Sequence, residues 1–209
     1  MKSEVRSQKS EVRSQKSEAR IKNWSEATGG LKLSREKREV LVLGVDPGIA
    51  ITGYGLLKSR RDGLEVIDYG CIKTTKQSLL SARLKEIYLR LTKIIQDCQP
   101  EVVAVEELFF SKNVRTALTI GEARGVIILA VADAKLPLFE YTPLQVKQAV
   151  TGYGKATKLQ VKYMVKSLLG LGSLPKPDDV SDALAIAICH LHSYKVRQKT
   201  EDRNLTSDF

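Results

Sequence analysis

From residue 40 onward the apolar positions fall into short runs and helical stripes whose order predicts an alternating α/β domain. Val40-Leu41-Val42-Leu43-Gly44-Val45 is an unbroken apolar run, the pattern of a strand covered on both faces, and Asp46 ends it. Two further strands are predicted over 52–58 and 65–73. The Arg60-Arg61-Asp62-Gly63 turn signal between them makes an antiparallel pair. A helical period follows over 79–98, carried by Leu80, Leu84, Ile87, Leu91, Ile94 and Ile95, with Pro100 just past its end. Val102-Val103-Ala104-Val105 is a fourth buried strand and ends at Glu106. The pattern continues with a helix over 114–134, a fifth strand over 138–141, and helices over 143–150, 155–169 and 179–194.

That order, three strands, helix, strand, helix, strand, then helices, is the order of the ribonuclease H-like fold. It predicts a mixed five-stranded sheet flanked by helices, within a domain spanning 39–195 and followed by a polar C-terminal tail over 196–209. The first 38 residues read differently. Lys2 to Arg20 repeats a seven-residue unit, K-S-E-V-R-S-Q, with one small apolar residue per unit (Val5, Val12, Ala19), where a coiled coil needs two. A basic, low-complexity, disordered tail or a loose solvated helix is expected there. The recurring Glu4, Glu11 and Glu18 argue against an organelle transit peptide. A translation start downstream of the repeat is the other reading, and intact N-terminal peptides containing Lys2 to Gln15 would exclude it. Trp24, the single tryptophan, is expected to be a local anchor.

Composition narrows the class. The 209 residues, 43% hydrophobic, suffice for one ordinary domain with its own core and an appendage. No apolar run is long enough for a membrane span and no signal-peptide core is present, so a cytoplasmic protein with no membrane partner is expected. Cys71, Cys98 and Cys189 lie far apart in apolar surroundings, which suits reduced core thiols. The net charge of +10 favours polyanionic partners. Residues 1–40 carry eleven Lys and Arg against six Glu, half of that excess, so the charge is spread over both parts.

The chemistry concentrates in acids. Asp46 and Glu106 end strands, where ligands gather in sheets with parallel strands. Asp179 and Asp182 are three apart, on one face near the start of a helix. Each has a plainer reading: Asp46 as a turn former before Pro47-Gly48, and Asp179 with Asp182 as helix caps. Glu106 resists one, because a carboxylate continuing a buried strand needs a cation or hydrogen-bond donors. Glu107 beside it points the other way if the strand continues, and spacing alone does not decide which of the two joins Asp46. If the four acids converge, they make an oxygen-lined site for hard divalent cations.

V-D-P-G-I-A-I-T-G-Y-G (45–55), A-V-E-E-L-F (104–109), G-E-A-R-G (121–125), Q-V-K-Q (145–148) and D-V-S-D-A-L-A-I-A (179–187) together resemble the RuvC family of Holliday-junction resolvases. The likeness runs in order from about 40 to about 192 and leaves the N-terminal tail without a counterpart. It implies that Asp46, Glu106, Asp179 and Asp182 are the catalytic, metal-binding acids, with Glu107 and Asp178 outside the first ring of ligands. It implies that Phe109, rather than Phe110, stacks on a base near the junction and that Lys147 and Lys158 lie near phosphates. It further implies that the helix around 117–132 forms a homodimer, that the substrate is four-way junction DNA, and that the chain works with the RuvA and RuvB branch-migration complex and cuts after paired thymines.

The expected chemistry is magnesium-dependent hydrolysis with two Mg2+ per site, Mn2+ being an acceptable substitute. Asp46 bridges both ions, Glu106 holds one, and Asp179 with Asp182 the other. Lys155, Lys158, Lys162 and Lys166 fall on one helical stripe at spacings of three and four, a ribbon for phosphates or a solvated face. Two rivals differ in class. One is a nucleotide-binding module of the actin and sugar-kinase type, which needs two such halves. The other is a non-catalytic nucleic-acid binder on the same fold, and the presence of all four acids argues against it.

Overall fold

The computed structural model describes residues 39–107 and 114–205, with side chains over 39–107 and 117–194. The chain divides into two units, Met1–Lys37 and Arg38–Phe209, and the described residues all lie in the second. The seven-residue repeat, Trp24, Phe109 and Phe110 lie outside them.

The sheet has strand order β3-β2-β1-β4-β5. Here β1 is Leu41–Asp46, β2 Ile51–Arg60, β3 Gly63–Lys73, β4 Val102–Glu106 and β5 Leu138–Tyr141. The first three form an antiparallel meander, and β1, β4 and β5 run parallel. This is the expected mixed five-stranded sheet, and all five strands fall where the apolar runs lie. Helices α1 (Leu80–Cys98), α2 (Val114–Asp133), α3 (Pro143–Thr151), α4 (Lys158–Leu168) and α5 (Asp178–Leu205) cover it.

Alternation along β1 feeds two cores, because successive strand side chains point to opposite faces. Leu43 and Val45 pack with Val103, with Ile87, Leu91 and Ile95 of α1, and with Ala123, Ile127 and Ala130 of α2. On the other face Val42 and Ala104 share a core with the run from Val180 to Leu191 of α5, which Val146 of α3 and Val161 and Val165 of α4 extend. Leu80, expected on the apolar side of α1, is instead 42% exposed, because it opens the helix beyond the sheet's cover. Cys189 is buried, Cys71 and Cys98 are partly so, and all three are free thiols as expected.

Two helix boundaries depart from the hydrophobic pattern. The helix expected from 155 begins at Lys158, because Thr157 caps it: its hydroxyl accepts the Gln160 N–H while the Gln160 side chain accepts the Thr157 N–H. Lys155 therefore stands outside the helix and drops out of the expected lysine stripe. Conversely, α5 continues to Leu205, well beyond the expected end at 194. The apolar stripe stops near Tyr194, but the Lys, Arg, Gln and Glu that follow are good helix formers and let the helix run on. Residues 196–205 of the expected polar tail are thus helical.

Candidate metal-dependent nuclease site

Strand register places the first two acids. Val45 pairs with Val105 across the parallel β1 and β4, so Asp46 and Glu106 stand side by side one position further on, at the carboxyl ends of both strands. They continue the face of Val42 and Ala104, the face covered by α5. Glu107 takes the other direction and is exposed, its N–H donating to the Tyr141 carbonyl at 2.8 Å. The choice left open by spacing falls geometrically on Glu106.

The start of α5 reaches this corner because glycines let it. Gly53 of β2 lies opposite Asp46, and a Cβ there would sit 2.0 Å from the Asp179 carbonyl oxygen. A Cβ on Gly44 of β1 would sit 2.2 Å from the Ala183 carbonyl oxygen. Close backbone approach at both points lays the first turns of α5, with Asp179 and Asp182, directly on β1, which carries Asp46, and on its neighbour β2.

The acids are near enough for their charges to act on one another. The Asp46 carboxyl is pushed up to about 8, first by burial and then by the charges of Asp182, Glu106 and Asp179. Glu106 is raised by burial and by Asp182, against the pull of Lys158 and Lys147. Asp182 is raised by burial, against its hydrogen bond to Lys158. Burial therefore holds Asp46, Glu106 and Asp182 where a proton or a cation relieves their charge.

Two of the expected phosphate lysines are engaged with acids. Lys158 Nζ lies 2.7 Å from Asp182 Oδ2 and 3.9 Å from Asp178 Oδ2, and Lys162 is paired with Asp178 Oδ1. The free ribbon expected along α4 is therefore broken at both positions, because α5 brings its acidic first turn against that side of α4. Lys147, on α3, is half-buried and close enough for its charge to act on Glu106. Phe109 falls outside the described residues.

Residues 42–190 match the family of crossover junction endodeoxyribonuclease RuvC. The chain belongs to the RuvC family. It is 60% identical over 153 residues to the RuvC of Caldicellulosiruptor saccharolyticus, covering 73% of this chain and 92% of that protein. It is 56% identical to the RuvC of Alkaliphilus metalliredigens over 154 residues, covering 74% and 94%. Among solved structures, T. thermophilus RuvC in complex with Holliday junction substrate superposes with a TM-score of 0.72 at 35% identity, covering 75% of this chain and 96% of that one.

A divalent metal cofactor goes with RuvC membership. Among the described residues no three His, Cys, Asp or Glu side chains converge closely enough to hold an ion as they stand. The donor set nevertheless fits one in kind. Four carboxylates, without thiolate or imidazole, are the oxygen ligands that hard divalent cations prefer, and the Asp46 carboxyl, raised first by burial and then by its acidic neighbours, is a group whose charge a cation would offset.

Sequence reasoning assigned no role to Arg124 and Glu140, which meet behind β4. Arg124 Nη2 lies 2.5 Å from Glu140 Oε1, and Arg124 Nε donates to the Glu106 carbonyl at 3.3 Å. The available signal was Glu140 itself, a charge in the short strand Leu138–Tyr141.

Proposed function

We propose that this chain is a magnesium-dependent, structure-selective endonuclease that resolves four-way DNA junctions by paired symmetric nicks in homologous recombination and DNA repair. The observation that carries the reading is the side-by-side placement of Asp46 and Glu106 at the ends of parallel strands, with the Asp179 and Asp182 turn laid against them through Gly53. These four acids are the catalytic and metal-binding residues. Asp46, Glu106, Asp179 and Asp182 would hold two Mg2+ ions per site, and Mn2+ would satisfy the same oxygen donors. A divalent ion held there supplies Lewis-acid chemistry, making a water more acidic and offsetting charge on the leaving 3′-oxygen.

The chain's own residues do the rest. Acids alone repel a polyanion, so Lys147 and Lys158 offset them and hold phosphates of the scissile strand. Lys158 does so by exchanging its Asp182 partner for phosphate. Phe109 stacks on a base at the junction. Because a four-way junction has near two-fold symmetry, a homodimer presents two sites to strands of like polarity. The RuvA and RuvB complex is the partner that delivers the junction, in the cytoplasm. The actin and sugar-kinase reading requires two similar halves, and the described residues form one sheet.

The test compares a synthetic four-way junction with a linear duplex of the same sequence, in Mg2+. Symmetric paired nicks in the junction and an intact duplex are expected. Equal cleavage of both, or none of either, would refute structure-selective resolution.

A further inference from the structure

We infer that Arg124 is a positioning residue for Glu106, holding the Glu106–Glu107 peptide plane from the face of the sheet opposite the site; this rests on the nuclease reading above. Both polar groups of that peptide are bonded. Its N–H, from Glu107, donates to the Tyr141 carbonyl at 2.8 Å, and its carbonyl, from Glu106, accepts from Arg124 Nε at 3.3 Å. Fixing the plane at the last residue of β4 fixes the backbone on which the Glu106 side chain swings, and therefore the face and distance at which its carboxylate meets Asp46.

Arg124 is itself held. Its Nη2 donates to Glu140 Oε1 at 2.5 Å, and Glu140 lies on β5 opposite Val105, on the side of the sheet that faces α2. With Arg124 only 15% exposed and Glu140 26%, the pair is shielded from water and its fork geometry is retained. The charges acting on the Glu106 carboxyl come from the other face, from Asp182, Lys158 and Lys147. Arg124 therefore works on the backbone, and a lysine, which keeps the charge but not the fork, does not replace it.

The experiment compares full-length wild type, Arg124→Lys, Arg124→Gln and Glu140→Gln by two readouts. One is the Mg2+ concentration for half-maximal junction cleavage. The other is Mn2+ binding followed by electron paramagnetic resonance without DNA. Both Arg124 variants are expected to raise the half-maximal concentration and weaken Mn2+ binding by about 10- to 100-fold, as loss of an outer support for a metal ligand does, with junction affinity in EDTA unchanged. Glu140→Gln should shift both in the same direction by less. Metal binding like wild type in Arg124→Lys would overturn the inference, as would a loss of thermal stability with no change in either metal readout. If wild type binds Mn2+ but cleaves no junction, the nuclease reading fails instead, and the Mn2+ arm still reports on Arg124.

Discussion

Replacing Asp46 with Asn should make the metal-free protein more stable at pH 8 while removing its response to metal. In the wild type the Asp46 carboxyl rises from 3.8 to about 8, mainly through burial and then through repulsion by Asp182, Glu106 and Asp179. A folded state that holds a proton the unfolded chain releases is at its most stable, relative to that chain, below the unfolded value. It loses the advantage progressively as pH climbs through the window from 3.8 to about 8. At ~1.4 kcal/mol per pH unit, the loss across the window is on the order of 5 kcal/mol. Asn has no proton to lose, so that part of the slope disappears. Urea unfolding in EDTA from pH 4.5 to 8.5 reads it directly: the two proteins should nearly coincide at the acid end and diverge steadily toward the alkaline end, with the variant higher. Adding Mg2+ at pH 8 should then stabilise the wild type, by ~2.7 kcal/mol at one hundred times its dissociation constant, and leave Asp46→Asn nearly unmoved. Parallel pH profiles in EDTA would show that Asp46 holds no raised proton, and an undiminished Mg2+ response in the variant would show that Asp46 binds no metal.

Other substitutions probe single contacts. Gly53→Ala places a methyl 2.0 Å from the Asp179 carbonyl oxygen, so the start of α5 must move; a loss of ~1–3 kcal/mol in thermal unfolding and a disproportionate fall in cleavage are expected, and normal cleavage would show that Asp179 and Asp182 need no such placement. Glu106→Gln should abolish metal-dependent cleavage while Glu107→Gln, altering an exposed side chain on the other face, leaves it intact; equal effects in a nicking assay would contradict the register argument. Lys158→Ala should weaken junction binding whatever the sequence and lower the slope of log affinity against log salt by about one, and an unchanged slope would remove Lys158 from the phosphate contacts.

Much of this was legible in the sequence because strand and helix periods mark faces. The buried runs at β1 and β4 each end in an acid, and the Asp179-Asp182 spacing marks one side of a helix start, so three parts of the site could be named before any register was known. The choice between Glu106 and Glu107 depended on alternation carried to the very end of β4, where a one-residue difference reverses the face. The early start expected for α4 missed a cap visible in the sequence, Thr157 with Gln160. The engagement of Lys158 and Lys162 with Asp182 and Asp178, and of Arg124 with Glu140 and the Glu106 carbonyl, joins residues distant in the chain. No local pattern encodes such pairs; they follow from how α2, α4 and α5 seat on the sheet.

On the proposed reading, Asp46, Glu106, Asp179 and Asp182 act as one metal-dependent site on four-way junction DNA. Cleavage of a synthetic mobile junction over a Mg2+ titration, wild type beside Asp46→Asn, tests it most directly. The wild type should produce symmetric nicks whose rate rises and saturates with Mg2+, and Asp46→Asn should bind the junction without cutting it at any Mg2+ concentration. Normal Mg2+-dependent cleavage by Asp46→Asn would show that Asp46 is no part of a metal-dependent site.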